Sequence, residues 1–285
     1  MDGSPAPPEW QCLQTQKAGS KPEECEDAGK VWDQADLRYD SAGRPVRSFY
    51  AAVSDGASES LLARAWAGQL VDNVLDSMCI TEEWWRKPDD FTGDLLDRCA
   101  FRWSAFLAQY QEDRVAQGRP ITWYEQPGLE KGAFATVLGV EIRGTFISEK
   151  ETNWSWHSFA LGDSCLFHLR DGAVHSSFPL QDVEEFGITP QLLGSRNHDK
   201  ALVAQRIAIA HGELRPGDEI LLTTDALAAW MLAHEDISPT RGTQLAVIAA
   251  DGAEQFAEWI DHQRHRGYMR NDDVTLVRMR VRAEA

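Results

Sequence analysis

Positive charge is scarce in this sequence: 28 Lys and Arg face 45 Asp and Glu among 285 residues, giving a formal net charge of −17. A nucleic-acid binder needs a basic stripe to replace phosphate counterions, and an anionic lipid surface asks for the same, so neither partner is expected. Long apolar runs are missing as well. Nowhere do the roughly 18 consecutive apolar residues of a membrane span occur. The opening MDGSPAPPEW has neither a basic n-region nor an apolar h-region, so no signal peptide is expected. Cysteine is sparse: Cys12, Cys25, Cys79, Cys99 and Cys165 are odd in number, scattered, and never paired as C-x-x-C. That pattern excludes a disulfide framework and a zinc signature. Together these absences predict a soluble chain in a reducing, cytoplasmic setting.

What is present is an ordinary globular composition, 43% hydrophobic and 26% charged. A chain of this length buries enough surface to fold without a staple. Residues 1–9, rich in Pro, Ser and Gly, read as a flexible tail ahead of a single domain over 10–285. Trp10–Lys17 is β-like, and Ser48–Ser54 is a short apolar run that stops at Asp55-Gly56. Ser58–Met78 has helical spacing of Leu61, Leu62, Ala65, Trp66, Leu70 and Val74, with Ser58 or Ser60 as N-cap. A second helix is predicted over Leu95–Val115, with Trp84 and Trp85 in a loop before it.

Strands are predicted at Phe134–Ile142, Trp156–Leu161, Cys165–Leu169 and Ala173–Phe178, the last three broken by the turn pairs Gly162-Asp163 and Asp171-Gly172. Leu180–Glu213 has no dominant period. Asp218–Thr223 reads as a strand, Ala226–Ala233 and Gly252–His265 as helices, and Asp273–Val281 as a closing strand. Strands cluster in hairpins, with long helices between the clusters. That pattern predicts an α+β fold with antiparallel sheets rather than a doubly wound parallel sheet.

Acids recur where strands end. FYAAVS stops at Asp55, WHSFAL at Gly162-Asp163, EILLTT at Asp225, and Asp272-Asp273 precedes VTLVRMRV, while Glu26-Asp27 precedes a short strand near Val31. Asp before Gly is ordinary turn chemistry, and any one of these acids could serve a turn alone. Gathered at one sheet edge, however, they could not all stay ionised without a cation. Oxygen-only ligands select hard ions such as Mg²⁺ or Mn²⁺ over zinc.

The same residues resemble the metal-dependent PP2C-type serine/threonine protein phosphatases, most closely a bacterial branch. The likeness rests on Cys25-Glu26-Asp27-Ala28, Val53-Ser54-Asp55-Gly56, Gly132-Ala133-Phe134-Ala135-Thr136, Gly162-Asp163-Ser164, Leu221-Leu222-Thr223-Thr224-Asp225-Ala226 and Asp272-Asp273-Val274-Thr275. These motifs fall in family order along nearly the whole chain. The resemblance implies a PP2C-like four-layer α-β-β-α sandwich with two central antiparallel sheets. It implies two Mn²⁺ or Mg²⁺ ions, with Asp55 bridging them, Glu26 and the Gly56 carbonyl on one, and Asp225 and Asp272 on the other. Asp27 would orient a water, and Asp163 with Asp225 would hold a third, weaker ion. The implied reaction is hydrolysis of phosphoserine and phosphothreonine on proteins, with a cognate Ser/Thr kinase as a further partner.

The chain departs from the family pattern at two places. Pro22 stands where relatives place a phosphate-contacting Arg, leaving Lys21 beside it as a point charge. Ala57 stands where some carry a His. No C-x5-R loop exists, so Cys25 and Cys165 are expected to be inert. Two other functions stay open at this point: a non-catalytic phosphoprotein-binding or regulatory module, and a hydrolase of small phosphate esters. His262 and His265 are expected on a solvated helix face, His157 and His168 in sheets. Trp66, Trp103 and Trp230 are expected in helix cores, and Trp154 and Trp156 in or near loops.

Overall fold

Turn chemistry and two-residue alternation build most of this chain into hairpins. A computed structural model describes residues 7–34, 36–148, 151–187, 190–196, 199–233 and 240–282. The first part of the chain forms β1 (Glu9–Thr15), β2 (Ala28–Asp33), β3 (Arg38–Tyr39) and β4 (Pro45–Ser54). Helices α1 (Ala63–Ile80), α2 (Pro88–Ala116) and α3 (Gln126–Lys131) follow. Then come β5 (Phe134–Ala135), β6 (Val137–Ser148), β7 (Glu151–Leu161), β8 (Cys165–Arg170), β9 (Ala173–Phe178) and β10 (Leu193–Gly194). After α4 (Lys200–Arg206), β11 (Ala208–Leu214) and β12 (Glu219–Thr223), the chain closes with α5 (Asp225–Leu232), α6 (Thr240–Asp251), α7 (Ala253–His265) and β13 (Val274–Arg280).

The strands form two large antiparallel sheets. One has the order β1-β13-β12-β8-β9; the other runs β11-β7-β6-β4-β2, with β3 added beside β4. Their facing side chains, among them Phe49, Val53, Leu138, Val140, Leu166, Ile220, Leu222 and Val277, interleave into a buried layer. Helices α1 and α2 cover the outer face of the β4–β7 sheet through Trp66, Leu70, Val74, Leu95 and Trp103. Helices α5, α6 and α7 cover the other sheet through Leu227, Trp230, Leu245, Phe256 and Ile260. This is the expected four-layer α-β-β-α sandwich. The hairpin between β8 and β9 turns on Asp171 and Gly172, both at positive φ (52° and 76°), as a tight turn between twisted strands requires.

Trp66 anchors the helical layer. It is 1% exposed, and its indole Nε1 donates to the carbonyl of Leu193 at 2.8 Å. Trp66→Ala should therefore destabilise the fold by about 3–5 kcal/mol, the usual cost of truncating a buried aromatic. A denaturant titration with a lowered midpoint and an unchanged slope checks this.

Several local expectations need correction. Trp156 opens the predicted strand, which in β7 starts earlier and takes in Trp154 as well. Trp154 therefore lies not in or near a loop, and both are buried among the side chains between the sheets. The stretch ETNWSW alternates with period two and extends the strand back to Glu151. Trp84 sits in a 3-10 turn, but buried, against Phe91 and Phe159. Helix α2 begins at Pro88, which suits a first helical position, rather than at Leu95. Helix α1 begins at Ala63 behind Leu62, whose φ is 69°, so neither Ser58 nor Ser60 is its cap. Both serines bond elsewhere: Ser60 Oγ accepts from the Phe134 N–H, and Ser58 Oγ donates to Glu26. Glu9 already pairs with Arg280, while residues 1–6 of the expected tail lie outside the described residues.

Candidate metal centre

Strand pairing brings the sequence-distant acids to one end of the sandwich. In the β2–β4 ladder Ala28 pairs with Ser54, which puts Asp27 and Asp55 at the same edge. Asp55 is pinned by a reciprocal pair of bonds. Its N–H donates to Thr136 Oγ1 at 3.0 Å, and the Thr136 N–H donates to its carbonyl at 2.9 Å. The Thr136 and Ser164 hydroxyls are 2.8 Å apart, which ties the loop carrying Asp163 to the same point. Gly162 makes that approach feasible: its φ is 114°, and a Cβ there would meet Thr136 Cβ at 2.7 Å. Gly56 is equally constrained, since a Cβ would lie 2.7 Å from the Glu26 carbonyl oxygen.

Two further residues hold the frame. Thr224 Oγ1 accepts from the Thr275 N–H at 2.9 Å and donates to Asp27 Oδ2 at 2.8 Å. Asp273 accepts from the Glu26 N–H and from the Lys17 N–H, each at 2.7 Å. Thr136, Ser164, Thr224 and Asp273 belong to the quoted motifs, yet sequence reasoning gave them no task. The signal was there as motif membership; the task depends on partners far away in the chain.

Within this frame, carboxylate oxygens of Asp55, Asp163 and Asp225 lie within 4.8 Å of one another. Asp27, Asp163 and Asp225 each keep one buried oxygen, Oδ1, with no hydrogen-bond partner among the described residues. Burial and mutual repulsion push these groups towards their protonated forms. Asp55 is held well above the usual carboxylate range, first by burial and then by the charges of Asp27, Asp225, Asp272 and Asp163. Burial pushes Asp27 up to about 8 against the opposing Thr224 bond, and Asp163 up to about 6 with help from Asp225. Asp225 is raised by burial and by Asp272, with Arg270 opposing. A buried group of acids with orphaned oxygens is stable as carboxylates only beside a cation. The all-oxygen donor set fits a hard divalent ion.

The remaining expected residues sit at the margin of this group. Asp272 is close enough for its charge to act on Asp55, Asp163 and Asp225. The Glu26 carboxylate faces Ser58 and Lys17, whose Nζ is 3.6 Å away. Gly56 pairs with Ala135 in an isolated bridge that closes the turn after β4. Lys21 bonds locally, its N–H to Glu24 Oε2 at 2.8 Å, and its ammonium forms no ion pair among the described residues. Among the described residues, the basic side chains that reach the carboxylates of these acids are Lys17 and Arg270, and sequence reasoning assigned neither.

Burial pushes the thiols of Cys25 and Cys165 up to about 12, which disfavours the reactive thiolate. His157 and His168 lie in strands, and His262 and His265 on an exposed helix face, as expected. No helix among the described residues is long and apolar enough to cross a membrane.

No family model matches the chain, and no curated protein matches it in sequence. Solved structures do match it. The Mycobacterium tuberculosis serine/threonine phosphatase PstP/Ppp is 16% identical over 98% of this chain and 100% of that one, with a TM-score of 0.55. The catalytic domain of PstP in complex with two manganese ions is 16% identical over 97% and 99% of the two chains, with a TM-score of 0.53. The PP2C phosphatase domain and a regulatory fragment of SpoIIE from Bacillus subtilis is 12% identical over 98% of this chain and 65% of that one, at a TM-score of 0.54. Spanning nearly its whole length, these likenesses agree with the layer order and sheet topology above: the chain has the fold of the PP2C-type serine/threonine phosphatases.

Proposed function

We propose that this chain is a Mn²⁺- or Mg²⁺-dependent phosphatase acting on phosphoserine and phosphothreonine in proteins. The observation that carries this reading is the convergence of Asp55, Asp163 and Asp225 within 4.8 Å beside the buried, half-unsatisfied Asp27. Asp55 would be shared between the two ions, with Glu26 and the Gly56 carbonyl holding one and Asp225 and Asp272 the other. When bound, the ions supply Lewis acidity, lowering the pKa of water and offsetting the charge of the phosphate.

The protein supplies the positioning. Thr136 fixes the backbone that carries the Asp55 carboxylate to the acid group. Thr224 occupies one oxygen of Asp27 and leaves the other, Oδ1, to accept a proton from a water. A non-catalytic module is the less favoured reading, because every acid of the metal set is retained. The substrates would be phosphoproteins made by a partner kinase, in the cytoplasm.

Asp163 adds a separate expectation. Its Oδ1 has no hydrogen-bond partner among the described residues, and its carboxylate converges with that of Asp225, which suits a third, weaker ion. Asp163→Ala should lose turnover at least tenfold, the scale on which a metal contact enters catalysis, while two Mn²⁺ still bind by calorimetry. Loss of both strongly bound ions in that variant would assign Asp163 to the main pair instead.

A further inference from the structure

One basic side chain lies on each flank of the acid group. Lys17 Nζ stands 3.6 Å from Glu26 Oε2 and 3.4 Å from Ser58 Oγ. Arg270 Nη2 stands 2.6 Å from Asp225 Oδ2, and its charge also faces Asp272 and Asp163. The two partners of this second pair differ in exposure: the Arg270 side chain is 57% exposed and the Asp225 carboxylate 13%. Arg270 thus reaches in from solvent, from the turn ahead of β13, and covers only one of the two Asp225 oxygens. The other, Oδ1, stays buried without a partner.

We infer that Arg270 is an exchangeable counter-ion that neutralises Asp225 in the metal-free protein, yields it to a divalent cation, and then offers its guanidinium to the phosphate of the substrate. This rests on the phosphatase reading above. An exposed ion pair is weak and screened by salt, so a doubly charged ion on the same oxygens displaces it readily. The long, mobile stem lets the guanidinium turn from a carboxylate to a neighbouring phosphate without movement of the backbone. Its fork of N–H donors suits tetrahedral oxyanions better than an ammonium does. Two other basic groups near this rim are engaged, Lys17 by Glu26 and Ser58, and Arg64 by the Pro22 carbonyl, to which its Nη1 donates at 3.1 Å. The Lys21 ammonium makes no ion pair with the acid group among the described residues. Among the described residues, Arg270 is the guanidinium bonded to the carboxylate of a proposed metal ligand, whereas Arg264 reaches only the backbone carbonyl of Asp272.

The test uses the full chain as wild type, Arg270→Ala and Arg270→Lys, with melting curves confirming that each folds. Mn²⁺ titrated calorimetrically into metal-free protein should bind the Ala variant roughly 5- to 10-fold more tightly than wild type, because a competing positive charge is gone. Inorganic phosphate titrated into Mn²⁺-loaded protein should bind the Ala variant roughly tenfold more weakly, with partial recovery in Arg270→Lys. With a small phosphate ester, KM should rise more than kcat falls. An Mn²⁺ isotherm unchanged by Arg270→Ala overturns the counter-ion, and an unchanged phosphate isotherm overturns the anchor. Should the phosphatase reading itself fail, no form turns over ester, yet both isotherms still decide the part played by Arg270.

Discussion

Asp55→Asn should lose turnover on a phosphothreonine peptide by at least about a thousandfold at saturating Mn²⁺, while keeping its fold. Asp55 feels the charges of Asp27, Asp225, Asp272 and Asp163, and as the proposed shared ligand it would make both ion sites depend on it. The amide matches the carboxylate in size and serves the turn before Gly56 almost as well. The backbone bonds to Thr136 use the Asp55 N–H and carbonyl and survive the change. Removing one of several crowded negative charges also lessens their repulsion, so the metal-free melt should hold or rise. A residue serving only the turn would leave turnover nearly intact, and initial rates beside melting curves separate the two roles.

Removal of the metal from the wild type should have an effect as large. Exhaustive chelation by EDTA should bring phosphate release to background, and Mn²⁺ or Mg²⁺ should restore it, because every proposed ligand is an oxygen donor. The same ions should stabilise the fold. Burial holds Asp27, Asp55, Asp163 and Asp225 above their ordinary pKa values, and a cation that binds the folded form alone adds about 2.7 kcal/mol at a hundred times its Kd. Thermal melts before and after Mn²⁺ addition read this directly. Full activity after chelation, with no response of the melt to Mn²⁺, would remove the metal from the account.

Much of this molecule is legible in its sequence, for identifiable physical reasons. Amphipathic period fixes α1 and α7, turn pairs fix the β7–β8–β9 hairpins, and acids at strand ends mark the edge where the site assembles. What escaped is long-range. The bond from Asp55 to Thr136 spans 81 residues, that from Thr224 to Asp27 spans 197, and that from Glu26 to Asp273 spans 247. No local pattern encodes such pairings, so the residues that orient the acids look like plain strand-end threonines and acids.

Arg270 escaped for a related reason, since a basic residue beside acids in sequence reads as solvated surface until the fold shows what it touches. Within Leu180–Glu213, α4 and β11 are short and their polar and apolar residues show no clean period. There tertiary packing, rather than local preference, decides the structure. Trp154 misled by its polar neighbours, although the alternation that makes it a strand residue was already present.

The most direct measurement is phosphate release from a phosphothreonine peptide by the purified, metal-stripped chain, followed as Mn²⁺ is added, with a small phosphate ester in parallel. The account predicts release from the peptide that is absent without Mn²⁺ and rises to saturation as the ions are taken up. No release from the peptide at any Mn²⁺ concentration, from a chain that is folded and binds the ion, would contradict it.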